Sequence, residues 1–464
     1  MAADQAQPTG AMKPAVPQVP AGELLKLLDE LAVYSAPGPG VTRLLYTPEW
    51  YGVQRFLQER MTGIGLEVRM DPVGNVYGTL AGSQVSDKVI LTGSHIDTVV
   101  NGGRYDGAYG VAAAVTALHY LLETFGPPLR TLEVVSFCEE EGSRFPLTFW
   151  GSGNVTGLYN GKECIDCADA DGITLGAAME ACGLGGSEGM AAEAAAGLEQ
   201  SGGSGSDGCE SEGPEAGATA GLQESFWHSN SPVRSDIAAY VELHIEQGII
   251  LERTSRRIGV VQAIAGQRRY LVKVGGTANH AGTTPMGLRQ DALAGSAEML
   301  LALERSALAE GDPLVATTGR LEVYPGTSNV IPGEVQFTLD IRHSEAGVLE
   351  RFCAAILAEF AELGRRRGLT LEVQMLLETA PAPMDQELRT ALEEICLQQE
   401  KPYLSMVSGA GHDAQLFAPR CPAAMIFVPS QSGISHSPGE YTSPEDLAAG
   451  LEVLTAILYR LAYE

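Results

Sequence analysis

Positive charge is scarce in this chain. Its 464 residues hold 30 Lys and Arg against 58 Asp and Glu, a formal net charge of −28. Nucleic-acid affinity comes largely from Lys and Arg neutralising phosphates, and anionic membrane surfaces attract the same residues. Neither is an expected partner. Long apolar runs are missing too, since no stretch approaches the ~18 residues of a membrane-crossing helix. Cysteine is sparse: eight residues are scattered without disulfide-scaffold spacing, which points to a reducing compartment. Cys164 and Cys167 form a CxxC. With no second pair or His at zinc-finger spacing, they read as two free thiols. Residues 1–21 hold four prolines and one Lys, with no Arg and no Ser. They lack both the apolar core of a secretory signal and the Arg- and Ser-rich character of a transit peptide. The expectation is a disordered leader on a cytoplasmic protein, with organellar targeting left open.

What is present suggests two or three domains with a sizeable core, at 45% hydrophobic content. The acidity is uneven. Glu163 to Val233 contains thirteen acidic residues and no Lys or Arg, which leaves −15 for the remaining 393 residues. Within that stretch, residues 183–222 hold twelve glycines amid Ser, Glu and Ala. Such composition buries too little apolar surface to offset ordering entropy, so a disordered insertion is expected over about 183–230.

Elsewhere apolar strands alternate with helices. Residues 22–35, 48–65 and 108–124 read as helices, and Lys88–Gly93, Leu132–Phe137 and Ile237–Leu243 as strands. This is an α/β pattern with a mostly parallel sheet. From 258 to 380 the order becomes β-α-β-β-α-β, a ferredoxin-like split βαβ unit. After it α/β material returns, ending in a helix over 444–462. The expected organisation is a larger α/β domain, 22–257 with 381–464, carrying an inserted α+β domain over 258–380.

Polar residues gather just beyond the apolar strands. SHIDT places His95 and Asp97 there, and RYDGAYG places Asp106 in a glycine-rich loop before a helix. EEEGSRF places Glu139, Glu140 and Glu141 after Leu132–Phe137; ELHIEQG carries His244, and GISHSPGE carries His436. Functional groups in open α/β sheets collect at strand carboxyl ends. Each residue alone is weak evidence, because a lone His beside a strand is commonly a hydrogen-bonded core residue. Together, histidines and carboxylates after several strands make the ligand set of a two-metal hydrolytic site. In such a set a carboxylate spans two ions, one glutamate of the pair serves as general base, and Asp97 is placed to orient His95.

The segments SHIDTVVNGGRYDG, EEEGSRFPLTFWGS, ELHIEQG, GQRRY, NHAGTTPMG, SNVIPG, SGAGHDAQLFAPR and GISHSPGEYT resemble the metal-dependent amidohydrolases of the aminoacylase and carboxypeptidase superfamily. Within it they resemble the branch acting on N-carbamoyl compounds, above all the bacterial-type allantoate amidohydrolases. The resemblance covers roughly 22–182 and 232–464, and the leader and insertion have no counterpart in it. It implies a di-metal catalytic domain and a lid and dimerisation domain. It implies that His95 and His436 (or His244 in its place) each serve one ion, that Asp106 bridges them, and that Glu141 and His244 complete the shell. Two glutamates directly before Gly are the family pattern, which makes Glu140 the base and leaves Glu139 a bystander.

The resemblance further implies that His280 reaches the site of the other subunit of a homodimer and stabilises the oxyanion. Gln247, Asn329 and Arg342 match substrate-contacting positions. Arg342 suits a substrate carboxylate, or makes a structural salt bridge. His412 and Asp413 line the pocket, or Asp413 only caps a helix. Two divalent ions are implied, manganese by the family branch, although His and carboxylate ligands accommodate zinc equally. The implied reaction is hydrolysis of a ureido C–N bond, with allantoate ahead of N-carbamoyl amino acids, carbamoyl-β-alanine and ureidoglycolate. A non-enzymatic binding protein is the remote alternative.

Overall fold

The structure, a computed structural model, describes residues 19–159, 164–184 and 233–464. Most of the leader and of the glycine-rich insertion expected from the sequence lies outside them.

The larger unit is built on a nine-stranded sheet. Its strands are β1 (Glu67–Met70), β2 (Val76–Leu80), β3 (Val85–His95), β4 (Arg130–Phe137), β5 (Ile237–Ile245), β6 (Ile258–Ile264), and three from the end of the chain: Ala382–Pro383, Tyr403–Ser408 and Ala423–Val428. Four of them lie side by side as β4, β3, β5 and Ala423–Val428, and all three pairings are parallel. Their carboxyl ends therefore open on one edge of the sheet, where the polar motifs fall. The strands read as apolar runs because both faces are covered. One face packs against the helices Gly22–Ala32, Pro48–Gly63, Ala108–Phe125 and Pro444–Ala462. The other buries Phe137, Tyr240, Phe417 and Phe427. Ala108–Phe125 is alanine-rich and buried along most of its length, which lets it approach β3 closely.

The smaller unit has its own core. Its principal strands are β7 (Gly266–Gly275), Leu321–Tyr324, Glu334–His343 and Thr370–Thr379. Their spatial order, Leu321–Tyr324, Glu334–His343, β7, Thr370–Thr379, with every pairing antiparallel, is that of a ferredoxin-like layer. In β7 and Glu334–His343 buried residues alternate with more exposed ones. The buried set packs on helices Ala292–Glu310 and Ala346–Arg367.

One boundary differs from the expectation. Ile258–Ile264, assigned from sequence to the smaller unit, pairs with Tyr403–Ser408 and Ala423–Val428 in the large sheet. The crossing falls at Ala265, where the chain runs from β6 directly into β7. An apolar run does not reveal which of two sheets it joins.

Candidate metal and catalytic site

The four parallel strands each deliver chemistry to the shared edge. His95 is the last residue of β3, and His244 lies one residue before the end of β5. Glu139 to Glu141 follow β4, and His436 follows Ala423–Val428. Asp106 comes from the loop between β3 and Ala108–Phe125. At the adjoining Gly107 φ is +61°, and a side chain would press into the His95 ring. Glycine lets the loop lie flat against that imidazole.

Asp106 is the hub. Its Oδ1 lies 3.5 Å from His95 Nε2 and 3.2 Å from His244 Nε2. Its Oδ2 lies 3.2 Å from His436 Nε2, which is itself 3.4 Å from Glu141 Oε1. The donors thus fall into two groups that share Asp106: His95, Asp106 and His244 in one, Asp106, Glu141 and His436 in the other, with the donor atoms of each group within 4.8 Å of one another. The sequence left open which histidine partners which; the fold puts His95 with His244.

Tautomers show that the donors fit cations. His244 Nδ1 faces the Ile245 carbonyl at 2.9 Å, and His95 Nδ1 faces Asp97 Oδ1 at 3.2 Å. Each Nδ1 therefore carries the hydrogen, and each Nε2 lone pair points at the Asp106 carboxylate. The Gly107 N–H also approaches His244 Nε2 (3.1 Å). Lone pairs converging on a buried carboxylate call for positive charge between them, from a proton or a metal. Without metal, protons fill that role. Burial works against a charged His95, yet hydrogen bonds to Asp106 and Asp97 raise its pKa well above the usual value. Burial likewise raises the Asp106 pKa, but His244, His436 and His95 overcome it and hold the group well below the carboxylate range. The hydrogen bond to Asp106 lifts His436 to about 9, and burial beside Asp106 lifts Glu141 to about 7.

Asp97 does more than orient an imidazole. Its Oδ1 also accepts the Glu140 N–H (3.0 Å), and its Oδ2 the Glu141 N–H (3.3 Å). One buried carboxylate therefore sets the backbone of both glutamates. Glu140 stands on the wall of a cavity of about 840 Å³. Burial, reinforced by Glu141, Asp413 and Asp97 and opposed by His95, pushes its pKa well above the usual value. A carboxyl so raised binds a proton more readily than an ordinary glutamate, as a group that takes up and returns one must. Glu139 is not a bystander: its buried carboxylate accepts the Gly142 and Trp150 N–H groups and shapes the loop after β4.

The cavity lies between the two units, with Gln247 and His436 on one side and Arg269 and Arg342 on the other. Gln247 Nε2 donates to Asp106 Oδ2 at 2.7 Å. Arg342 meets both readings offered for it. Its Nε and Nη2 grip the two Asp340 oxygens at 2.8 and 3.0 Å, and its Nη1 donates to the Gly409 carbonyl at 2.7 Å, yet the side chain remains on the cavity wall.

Four further residues assigned to the site from sequence do not line this chain's cavity. His412 is 2% exposed, packs edge-on against His244 at 4.6 Å between ring centroids, and faces Ser408 Oγ at 3.1 Å. It supports the metal group from beneath and is not on the cavity wall. Burial, then the neighbouring His244, depresses its pKa well below the usual value, so the ring is neutral. Asp413 makes no side-chain cap and is fully buried near Glu242. His280 and Asn329 are exposed neighbours on the smaller unit, joined by the Ala281 N–H to Asn329 carbonyl bond, and neither lines this chain's cavity.

Sequence reasoning passed over Glu440, Glu242 and Arg43. Glu440 is buried and accepts the Tyr105 and Asp106 N–H groups. Glu242, two residues before His244, accepts from Ser94 Oγ and the Ala414 N–H. Arg43 is buried and donates to the Ile96 carbonyl between His95 and Asp97. Proximity of Glu440 to His436 and of Glu242 to His244 was the available signal.

Comparison with known proteins follows the same lines. Residues 91–460 match the peptidase family M20/M25/M40. The chain is 45% identical over 437 residues to allantoate amidohydrolase of Bacillus subtilis (strain 168), covering 94% of this chain and 96% of that protein. It is 43% identical to allantoate amidohydrolase of Escherichia coli (strain K12), covering 92% and 94%. Among solved structures, an amidase of the hydantoinase/carbamoylase family from Burkholderia multivorans superposes with a TM-score of 0.84 at 31% identity, covering 97% of this chain and 100% of that one.

Proposed function

The chain belongs to the M20/M25/M40 peptidase family, and from that premise we propose that it is an allantoate amidohydrolase. The observation that carries the chemistry is the Asp106 carboxylate shared by two donor groups beside Glu140 on the cavity wall. His95, Asp106 and His244 would hold one divalent ion, and Asp106, Glu141 and His436 the other, with manganese favoured and zinc compatible with the same ligands. Bound there, such ions polarise a carbonyl oxygen and make a water acidic enough to attack at neutral pH.

The chain's own groups supply the rest. Glu140 takes a proton from the attacking water and passes it to the departing nitrogen, the exchange its raised pKa favours. Asp97 keeps Glu140 and Glu141 in register with His95. Arg342 faces the cavity with a guanidinium suited to a substrate carboxylate, which would compete with Asp340 for it. Gln247 presents its amide to the reacting end. Water adds to the carbamoyl carbon, and the bond from that carbon to the nitrogen borne by the substrate's central carbon breaks, the nitrogen leaving with the proton from Glu140. Ureidoglycine leaves, and the released carbamate falls apart to ammonia and carbon dioxide.

His280, exposed and remote from this chain's cavity, would serve the second copy in a homodimer as oxyanion donor. The deciding experiment measures ammonia release from allantoate, carbamoyl-β-alanine, N-carbamoyl amino acids and ureidoglycolate with Mn- and Zn-loaded protein. Allantoate should be turned over with the highest kcat/KM; no turnover of allantoate would reject the reading.

A further inference from the structure

The loop that carries Asp106 has no strand of its own to hold it. Glu440 reaches into it from the loop of His436. Glu440 is 6% exposed, and its Oε1 accepts the N–H groups of Tyr105 at 2.8 Å and Asp106 at 3.2 Å. Its Oε2 lies 2.9 Å from Ser435 Oγ, which is also 3.0 Å from Asp106 Oδ2. A hydroxyl has one hydrogen, so Ser435 donates to one carboxylate at a time. Its hydroxyl stands between the two carboxylates, within hydrogen-bond reach of each. Ser435 directly precedes His436. One carboxylate therefore ties the backbone of the shared aspartate to the loop carrying a histidine of the second donor group.

Gly103 makes the same point independently. A side chain there would overlap the Glu440 carboxylate. Its backbone is not in the left-handed region, so conformation does not ask for glycine. The space is kept open for Glu440.

We propose that Glu440 is a positioning residue of the two-cation site, setting the spacing between the Asp106 and His436 loops through Tyr105, Asp106 and Ser435. The proposal rests on the two-cation reading above. Its test is calorimetric titration of chelator-stripped, full-length protein with Mn²⁺, with thermal unfolding of the same preparations. Wild type should bind two ions. Glu440→Ala should weaken Mn²⁺ binding about 10- to 100-fold, the usual effect of losing a group that orients a ligand. Glu440→Gln should stay within about threefold of wild type, because its amide oxygen accepts the same two N–H groups. Gly103→Ala should resemble Glu440→Ala, yet add little in the Glu440→Ala background, since the collision is then gone.

Wild-type affinity in Glu440→Ala would overturn the proposal. So would Gln as damaging as Ala, or additive Gly103 and Glu440 effects. If Glu440→Ala does not fold, Glu440→Gln and Gly103→Ala decide alone, and a Gly103→Ala protein with unchanged Mn²⁺ binding rejects the idea. A wild type that binds no Mn²⁺ sinks the two-cation reading itself, and this proposal with it.

Discussion

On one side of Asp106, the His95 and His244 side chains are 4% and 1% exposed; on the other, His436 is 48% exposed. The inner pair is fixed by buried partners, the Asp97 carboxylate and the Ile245 carbonyl. The outer histidine stands at the lip of the cavity, and the Asp106 oxygen it faces is shared with Gln247 and Ser435. Without metal, protons sit in both groups, but the inner donors are already held by buried partners, whereas a cation in the outer group would also have to displace the Gln247 amide contact. The comparison teaches that one carboxylate can join a buried donor group to one that faces the cavity.

The harshest way to break the comparison is Asp106→Ala. It removes the donor common to both groups, so metal analysis should find neither ion retained and turnover should be lost. A variant that kept both ions would show that the groups do not depend on their shared ligand. Next in size, Glu140→Gln should lower kcat by about 10²- to 10⁴-fold while both ions stay bound, separating proton transfer from ligation. Unchanged hydrolysis in metal-loaded Glu140→Gln would refute its role as base.

A subtler effect sharpens the contrast. With His436 raised to about 9 and Glu141 to about 7 in the metal-free site, His436 holds a proton at neutral pH and Glu141 is partly protonated, and a cation must expel those protons. Outer-site affinity should therefore climb from pH 7 towards 9, with proton release visible as a buffer-dependent binding enthalpy. A pH-independent outer site would contradict the assignment of these two ligands. Smallest of all, removing residues 187–222, which the family resemblance leaves without counterpart, should leave kcat/KM essentially unchanged, because no residue assigned to the site lies in that segment. A loss of activity with normal thermal unfolding would give that acidic segment a functional part.

Much of the site was legible because its residues sit next to strong local signals. His95, His244 and Glu141 each adjoin an apolar run that could only be a buried strand. The ferredoxin-like unit was legible from its order of elements, since antiparallel pairing of near neighbours follows from short connections. The pairing of donors was not, because His95 and His244 meet only when β3 and β5 lie adjacent. His412 was misplaced for a related reason: a glycine-rich loop before a short helix does not say whether the ring faces the cavity or the underside of His244.

Residue chemistry and spacing were enough to indicate an α/β protein with the ligand set of a two-metal hydrolytic site, because histidines and carboxylates gather beyond several strands; the carbon–nitrogen bond came from the likeness of its motifs to the amidohydrolases. Tertiary structure decided which donors gather on each side of Asp106, how far each is buried, that Asp97 accepts from the backbone of both glutamates and that Glu440 accepts from that of Asp106. Those relations join residues tens to hundreds of positions apart, and only the parallel order of four strands and the loops packed across their ends brings them within hydrogen-bonding reach.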